Sequence, residues 1–562
     1  MVRSILNFVG LQVRGMHQAA YLIALFALGS QLLALARDRL LAGTFGAGHS
    51  LDLYYAAFRL PDLLFATVAS LLSLYALLPI LSRMEADDAS RVRSLLEHML
   101  VYFFVAMAVI SGIAFVFTPQ LLQLLVPGIA TGPSAGTLEL LTRILLLQPI
   151  LLGASNILAN LTQLRNRFLL YSVSPLLYNL GIIAGIVWLY PTMGLSGVVW
   201  GVVIGAALHL LLQVPFFIGE RGGGRVSWRE SWESLWQVLR LSVPRTLSLS
   251  ANQISLAVLV ALASLLSAGS IAVFTLAWNL AAVPLTIIGV SYSVAAFPTL
   301  SRLFAGGDRD TFVKHLETAL RHIIFWAVPA TVFIIVLRAQ LVRAILGSGE
   351  FDWTATRLTA AALALLAVSL VAQAVSLLIA RGYYAAGDSK KPFMFGLLDV
   401  VVSVGAAVVL VGAFHTSEFW RYFLEAALRV ADIPGTTVLM LALALTLGSI
   451  ARFVVGWMYI KRDFDLKPAL TKLIFQTFSA SVIGGAVAYW ILAVVGNHID
   501  INTTLGILLQ GGAAGVLGLV VTAAMLWLLG NQEIREMVAL ARHRIAPEPS
   551  PVVIEPTDVQ SH

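Results

Sequence analysis

Fourteen stretches of the chain are apolar for about twenty residues or more, and a polypeptide with that pattern has one solvent available to it. They run roughly over 17–44, 51–82, 97–126, 137–161, 169–190, 195–219, 243–266, 270–303, 318–346, 355–380, 392–413, 437–461, 470–495 and 504–529. About twenty apolar residues suffice for a helix to cross a bilayer. The runs are too long and too continuously apolar for the period-2 strands of a membrane barrel. Only 12% of the 562 residues are charged, about half the share of a soluble domain. The expected fold class is therefore all-α and polytopic, with about fourteen transmembrane helices.

The chain repeats itself. Pro79-Ile80-Leu81-Ser82-Arg83 and Pro298-Thr299-Leu300-Ser301-Arg302 are one phrase, P-x-L-S-R, separated by 298 − 79 = 219 residues. Leu96-Glu97 answers Leu316-Glu317, and Gln120-Leu121 answers Gln340-Leu341, at a spacing of 220. The first unit begins at span 1 and the second at span 7. An even offset gives both units the same orientation, with a pseudo-two-fold along the membrane normal, as in parallel transporter repeats. The expected organisation is a six-helix bundle at 1–219 and an interfacial linker helix at 220–242. A second bundle follows at 243–413 and 437–461, interrupted by an outer interfacial helix at 414–436. Helices 13 and 14 occupy 470–529, and a partly disordered tail 530–562.

Lys and Arg alternate between loops. With the N-terminus inside, about 26 fall on the cytoplasmic side and about seven outside. The positive-inside rule thus expects both termini in the cytoplasm. This distribution, rather than the net charge of +7, argues against a nucleic-acid partner. No short cleavable signal is expected at the N-terminus, which carries Arg3 and Arg14. Trp228, Trp232 and Trp236 stripe one face of the linker helix, as in a helix lying on the interface.

Ionisable residues at membrane depth are costly and tend to face a cavity or a partner. Asp52, Tyr55, Arg59 and Asp62 share one helical face in span 2, continued by Ser70 and Ser73. Gln31, Arg37 and Asp38 belong to span 1, Asn252 and Gln253 to span 7, and Asn279 to span 8. Together they form the expected substrate cavity between the halves; the competing reading is mutual pairing of these charges near the interface. Asp399 and Arg452 stand nearly alone in spans 11 and 12, either as a structural ion pair or as a coupling-ion site. Arg143, His209 and Gln373 read as interhelical ties.

The sequence holds no cysteine, no H-E-x-x-H, no G-x-S-x-G and no Walker A loop. The expectation is a transporter rather than an enzyme, without metal or cofactor. It would be driven by Na+ or H+ coupling, the membrane potential, the substrate gradient or a partner.

Several phrases resemble the MurJ/MviN family, the lipid II flippases of the multidrug/oligosaccharidyl-lipid/polysaccharide exporter superfamily. They are Arg37-Asp38 with Phe45-Gly46-Ala47-Gly48 and Asp52; Ala57-Phe58-Arg59-Leu60-Pro61; Arg165-Asn166-Arg167-Phe168 with Ser174-Pro175; and Tyr178-Asn179-Leu180-Gly181. Ala263-Ser264-Leu265-Leu266 with Gly269-Ser270, Gly349-Glu350-Phe351, and Gly382-Tyr383-Tyr384-Ala385-Ala386-Gly387-Asp388 with Lys391-Pro392 continue the order. The resemblance implies alternating-access export of an undecaprenyl-linked peptidoglycan precursor across the bacterial inner membrane. It also implies a central cationic cavity, a tail groove on helices 13 and 14, and membrane lipids and cell-wall synthesis or division proteins as partners. The family's cavity typically carries four arginines. Here Arg37 is retained, and the other three positions fall on Gln31, Phe65 and Asn279. Because a diphosphate favours bidentate arginine, a cation-coupled small-molecule exporter and a transport-inactive envelope scaffold stay open as alternatives.

Overall fold

A computed structural model describes residues 16–68, 74–165, 167–219, 224–466, 470–499 and 503–545. The side chains of 16–24, 74–76, 78, 79, 168, 241, 243–245, 247–252 and 539–545 stand outside that description. All regular structure among the described residues is helical.

The first half opens with α1 (Met16–Phe45). Three pieces follow, α2 (His49–Ala57), α3 (Arg59–Thr67) and α4 (Leu74–Asp88). Next come α5 (Val92–Val116), α6 (Thr118–Leu125), α7 (Ala135–Leu145), α8 (Leu147–Leu164), α9 (Phe168–Ala184) and α10 (Leu195–Leu211). A single 37-residue helix, α11 (Trp228–Ser264), leads into the second half. There α12 (Ser270–Leu285) and α13 (Ser291–Ala305) are joined by a wide π-turn at Thr286–Val290. Then follow α14 (Arg309–Val336), α15 (Arg338–Leu346), α16 (Trp353–Val368), α17 (Leu370–Ala385), α18 (Lys390–Thr416), α19 (Glu418–Leu428) and α20 (Val438–Asp463). Two long helices, α21 (Thr471–Gly496) and α22 (Thr504–Leu528), and a short one, α23 (Gln532–Ile545), close the described chain.

Among the described residues ten helices are long and apolar enough to cross a membrane. The pair α16 and α17, bent by 45°, makes up to eleven. The expected fourteen is not reached by this measure. The three remaining expected spans, the first, second and seventh, are those that carry Gln31, Arg37 and Asp38; Asp52, Arg59 and Asp62; and Asn252 and Gln253. Polar residues shorten their apolar windows, and each span also includes or adjoins residues outside the description, so Ser70 and Ser73 cannot be placed.

The repeat is visible in the packing. The tightest helix pairings include α9 with α10 in the first half and α18 with α20 in the second, which are the fifth and sixth spans of each unit. Small residues permit the first of these. A Cβ on Gly181 would stand 2.3 Å from the Gly205 Cα, and one on Gly185 would stand 2.6 Å from the Gly201 Cα, so the backbones touch as in small-xxx-small membrane pairs. In the P-x-L-S-R phrases Leu81 and Leu300 are fully buried while Arg83 and Arg302 are exposed. The break after Thr67 matches the π-turn that starts at Thr286 (286 − 67 = 219). At both sites the threonine hydroxyl donates to the carbonyl four residues back, Leu63 at 2.6 Å and Ala282 at 2.8 Å.

The buried cores define how the halves meet. One large core gathers Leu41, Leu51 and Leu141 from the first half with Phe274, Phe351 and Leu439 from the second, at the end of the molecule where Gly46 lies. At the opposite end, where Arg83 and Arg302 lie, the halves have separate cores. One is built on Leu77, Leu95, Met99 and Ile157, and the other on Leu300, Phe312, Tyr383 and Phe395. The bundles therefore share one core at the Gly46 end and, among the described residues, have separate cores toward the Arg83 end.

One expected boundary differs. No break falls at 242/243, because Trp228 to Ser264 is one helix, roughly 55 Å long at 1.5 Å per residue. Ser227 caps its start by accepting from the Glu230 N–H. The tryptophan stripe is present and exposed, with Trp228 stacked 3.8 Å from His98. In the tail, where a partly disordered segment is expected over 530–562, residues 532–545 form α23. That helix is docked by the largely buried Glu533, which accepts from Arg321 Nε at 2.8 Å; residues 546–562 lie outside the description. The expected outer helix is present as α19, exposing Phe419, Tyr422 and Phe423.

Candidate functional site between the halves

The polar residues of α1 reach across the junction of the halves. Arg37 donates from Nε (3.0 Å) and Nη2 (2.8 Å) to Asp38 Oδ1, and from Nη1 to Asn179 Oδ1 at 3.0 Å. The second Asp38 oxygen accepts from Asn279 Nδ2 at 3.0 Å, which ties span 1 of the first half to span 8 of the second. Asn179 in turn donates to Ser30 Oγ and to the Pro175 carbonyl. The Asp38 side chain is 4% exposed and that of Arg37 20%. Of the five N–H groups of a guanidinium, three are thus engaged. A charge buried this deeply needs its partner, and Arg37–Asp38 has one.

Asp52, expected in the cavity, does something else. Oδ2 accepts from the Gly269 N–H at 2.6 Å and Oδ1 from the Ala272 N–H at 2.7 Å. These are orphan donors at the start of α12, normally met by a residue of the same helix. Here the cap comes from the other half, where the helix dipole also favours a carboxylate. Gly269 has φ +90°, and a Cβ there would stand 2.1 Å from the Ala47 carbonyl oxygen, so glycine is what lets the two loops touch.

Arg59 is held differently, with Asp62 within electrostatic reach rather than in an ion pair. Its Nε donates to the Tyr55 carbonyl at 3.3 Å, and it makes no ion pair among the described residues, not even with Asp62 one turn on. Gln31, Asp62 and Gln253 are half-buried and make no side-chain hydrogen bond among the described residues. The Asn252 side chain lies outside the description, on the same helix as Gln253. Since α11 packs along α3, Gln253 belongs to the neighbourhood of Arg59 and Asp62. Tyr55 stands within electrostatic reach of Arg37, Asp38 and Arg59, and its buried hydroxyl has no partner. Tyr178 accepts from Gln148 at 3.2 Å and lies within reach of Arg37 and Asp62. The site therefore has two parts: a satisfied network on Arg37, Asp38, Asn179 and Asn279, and a set of unsatisfied groups led by Arg59.

Asn179, Ser30 and Tyr178 were not singled out as site residues. An amide inside an apolar span is the same signal that selected Gln31, and applied evenly it would have found Asn179.

Asp399 and Arg452 do meet, with Nη1 to Oδ2 at 3.7 Å, and Ser403 donates to Asp399 Oδ1 at 3.1 Å. Gly448 lies directly against Asp399 and Ser403. Of the expected ties, Arg143 donates to the Phe115 carbonyl, and His209 pairs with Ser155 at 2.7 Å. Gln373 bonds Ser369 in its own turn, not another helix. No cluster of three metal-ligating side chains occurs among the described residues.

The lipid II flippase MurJ of Burkholderia cenocepacia is 26% identical over 392 residues, 68% of this chain and 75% of that protein. The probable lipid II flippase MurJ of Buchnera aphidicola is 26% identical over 388 residues, again 68% and 75%. A solved structure described as lipid II flippase MurJ in an inward closed conformation superposes with a TM-score of 0.71 at 19% identity, covering 92% of this chain and all of that one. An inward-facing multidrug resistance MATE transporter of the MOP superfamily superposes at 0.64 with 18% identity, covering 78% and 94%. At these identities the two structures speak for the fold. The family model described as lipid II flippase MurJ matches residues 41–509, and the chain belongs to that family.

Proposed function

We propose that this protein moves a lipid-linked peptidoglycan precursor of the lipid II type between the leaflets of the bacterial inner membrane by alternating access. The observation that carries the reading is the arrangement of the cores: one shared core at the Gly46 end, two at the Arg83 end, and polar residues where the halves converge. A space bounded in this way admits a head group from one side only, and rocking of the halves would move the opening. With the Arg83 end in the cytoplasm, as the distribution of Lys and Arg supports, the core shared by the two halves would lie on the outer side of the membrane.

The head group would meet Arg59 first, with Gln31, Gln253, Tyr55 and Asp62 around it. Arg37 offers its two remaining N–H groups. The charges of Arg37, Arg59, Asp38 and Asp62 sum to zero, so hydrogen bonding and one half-buried guanidinium, rather than a strong positive field, would hold the phosphates. Membrane potential or a coupled Na+ or H+ would supply the energy. Asp399 is already paired with Arg452, which favours the flippase over an exporter coupled at that carboxylate. Protein partners in wall synthesis or division belong to the same proposal.

Depletion in the native host tests it. Accumulation of lipid-linked precursor in the inner leaflet is expected. Unchanged sidedness of the precursor would overturn the proposal and favour a scaffold role.

A further inference from the structure

We propose that Arg338, Arg429 and Tyr489 form a second anion site, for the phosphate of a membrane lipid, on the outer flank of the second half at the Gly46 end. It is separate from the central network. The site is built from three elements that the sequence keeps far apart: the start of α15, the turn after α19, and the last two turns of α21.

Arg429 has φ +60° and ψ +46°, the left-handed region, which a side-chain-bearing residue adopts only against steric strain. The turn is held there deliberately. Its N–H donates to the Ala426 carbonyl at 3.1 Å, and the next N–H, of Val430, donates to Glu425 at 2.8 Å. From outside, Arg357 grips Asp432 with two bonds of 2.7 and 2.6 Å and also donates to the Arg429 carbonyl at 2.5 Å. The bidentate bond to Arg357 keeps the Asp432 carboxyl below its ordinary range. So fixed, Arg429 extends to Tyr489, donating from Nη2 to the phenol oxygen at 2.9 Å, with Cζ 5.9 Å from the ring centroid.

Arg338 is half-buried, and its neighbour Leu337 shares a core with Ala488 and Leu492, which brings the start of α15 against the part of α21 that carries Tyr489. Its side chain donates to the Ile335 carbonyl at 3.1 Å. Burial first, and the Arg429 charge second, hold its pKa below the ordinary guanidinium value. Neither arginine forms an ion pair among the described residues. The acids close in sequence are committed elsewhere, Asp432 to Arg357 and Glu425 to the Thr436 hydroxyl at 2.6 Å. Two guanidinium groups within electrostatic reach of each other, neither paired with an acid among the described residues, repel each other, and a phosphate between them would remove that cost. Their planar forks fit two phosphate oxygens each.

The depth of the site selects the kind of phosphate. Arg338 lies two residues past the end of the α14 span. Tyr489 lies seven residues before the end of α21, roughly 10 Å along the helix. Tyr489 and Trp490 are exposed on that flank, as aromatic side chains are at headgroup level. Phospholipid headgroups occupy that layer, so an anionic phospholipid is the occupant the geometry favours.

Hydrogen–deuterium exchange on the full-length protein in neutral detergent tests this, with phosphatidic acid, phosphatidylcholine and inorganic phosphate as probes. Phosphatidic acid, but not phosphatidylcholine, is expected to slow exchange in segments 425–433 and 486–494. In an Arg338→Gln/Arg429→Asn variant the apparent affinity should fall by about tenfold or more; asparagine tolerates the left-handed conformation. Protection by inorganic phosphate as well would support the oxyanion chemistry and name free phosphate as a source. Equal protection by both lipids, or protection unchanged in the variant, overturns the proposal. Should the double variant not fold, Arg338→Lys keeps the charge and removes the fork. Weaker phosphatidic acid protection then supports the site, and unchanged protection overturns it.

Discussion

Arg37 and Arg59 are both arginines at membrane depth, yet removing them should do different things. Arg37 neutralises Asp38, whose side chain is 4% exposed. Arg37→Gln leaves a buried carboxylate with only Asn279 beside it, and losing one partner of such a pair costs about 3–5 kcal/mol. Its expected signature is a lowered thermal midpoint in detergent together with lost transport, and Arg37→Gln/Asp38→Asn should recover much of the stability. Arg59 makes no ion pair among the described residues, and Asp62 is only within electrostatic reach of it. Arg59→Gln should therefore lower the midpoint less than Arg37→Gln does and reduce precursor export, read as inner-leaflet accumulation in a depleted host. An Arg59→Gln protein that exports normally would remove Arg59 from the head-group site. Asp52 belongs with Arg37: Asp52→Ala uncaps Gly269 and Ala272, and hydrogen bonds from charged groups are worth roughly 1.5–3 kcal/mol, so unfolding should come earlier by a similar amount. The sequence could show that Arg37-Asp38 and Asp52 are costly where they stand. It could not show what each one touches. Asp38 meets Asn279 and Asp52 meets Gly269 across the junction of the halves, and that register comes from the packing of two bundles, not from any local pattern.

Elements were more legible than contacts, because hydrophobic run length and loop charge are local properties. The errors fall where tertiary packing overrides local signals. Residues 228–264 look like a surface helix followed by a span, since the tryptophan stripe is polar-faced and the following run apolar. Val226, Leu235 and Val238 pack into the first-half core, and the segment runs on into the span as one continuous helix. Proline substitution tests that continuity. Ser242 is buried midway along that helix, and Ser242→Pro should cost about 3 kcal/mol or more by removing a helical hydrogen bond and introducing a clash. If the linker and the span were independent helices, the same change would be nearly neutral. Thermal unfolding of the purified protein separates these outcomes. The second half widens its eighth span at Thr286, and α3 of the first half ends at Thr67, the equivalent point of the repeat.

At the scale of the molecule, transport requires the Gly46 end to open, and the repeat dictates how it is shut. Gly128, after span 3, packs on the Ser264 carbonyl at the end of span 7; a Cβ there would stand 1.8 Å from that oxygen. Gly349, after span 9, packs on the Gly43 carbonyl at the end of span 1, where a Cβ would stand 2.2 Å away. The two contacts are related by the repeat (264 − 43 = 221 and 349 − 128 = 221), so each half closes on the other in the same way. The Glu350 N–H donates to the Gly43 carbonyl at 2.9 Å, and the Gly128 N–H donates to Ser264 Oγ at 3.1 Å. A covalent link across one of these contacts would hold the gate shut. A Cβ built on Gly43 lies 3.4 Å from the Ser348 Cβ, close to the 3.5–4.5 Å or so that a disulfide spans. The native chain has no cysteine, so Gly43→Cys/Ser348→Cys adds the only two thiols. Under oxidation the pair should cross-link and precursor should accumulate in the inner leaflet, with reductant restoring export. Each single variant should export normally in either condition. Full export by the cross-linked protein would mean that these ends never part during the cycle, and alternating access through this gate would fall with it.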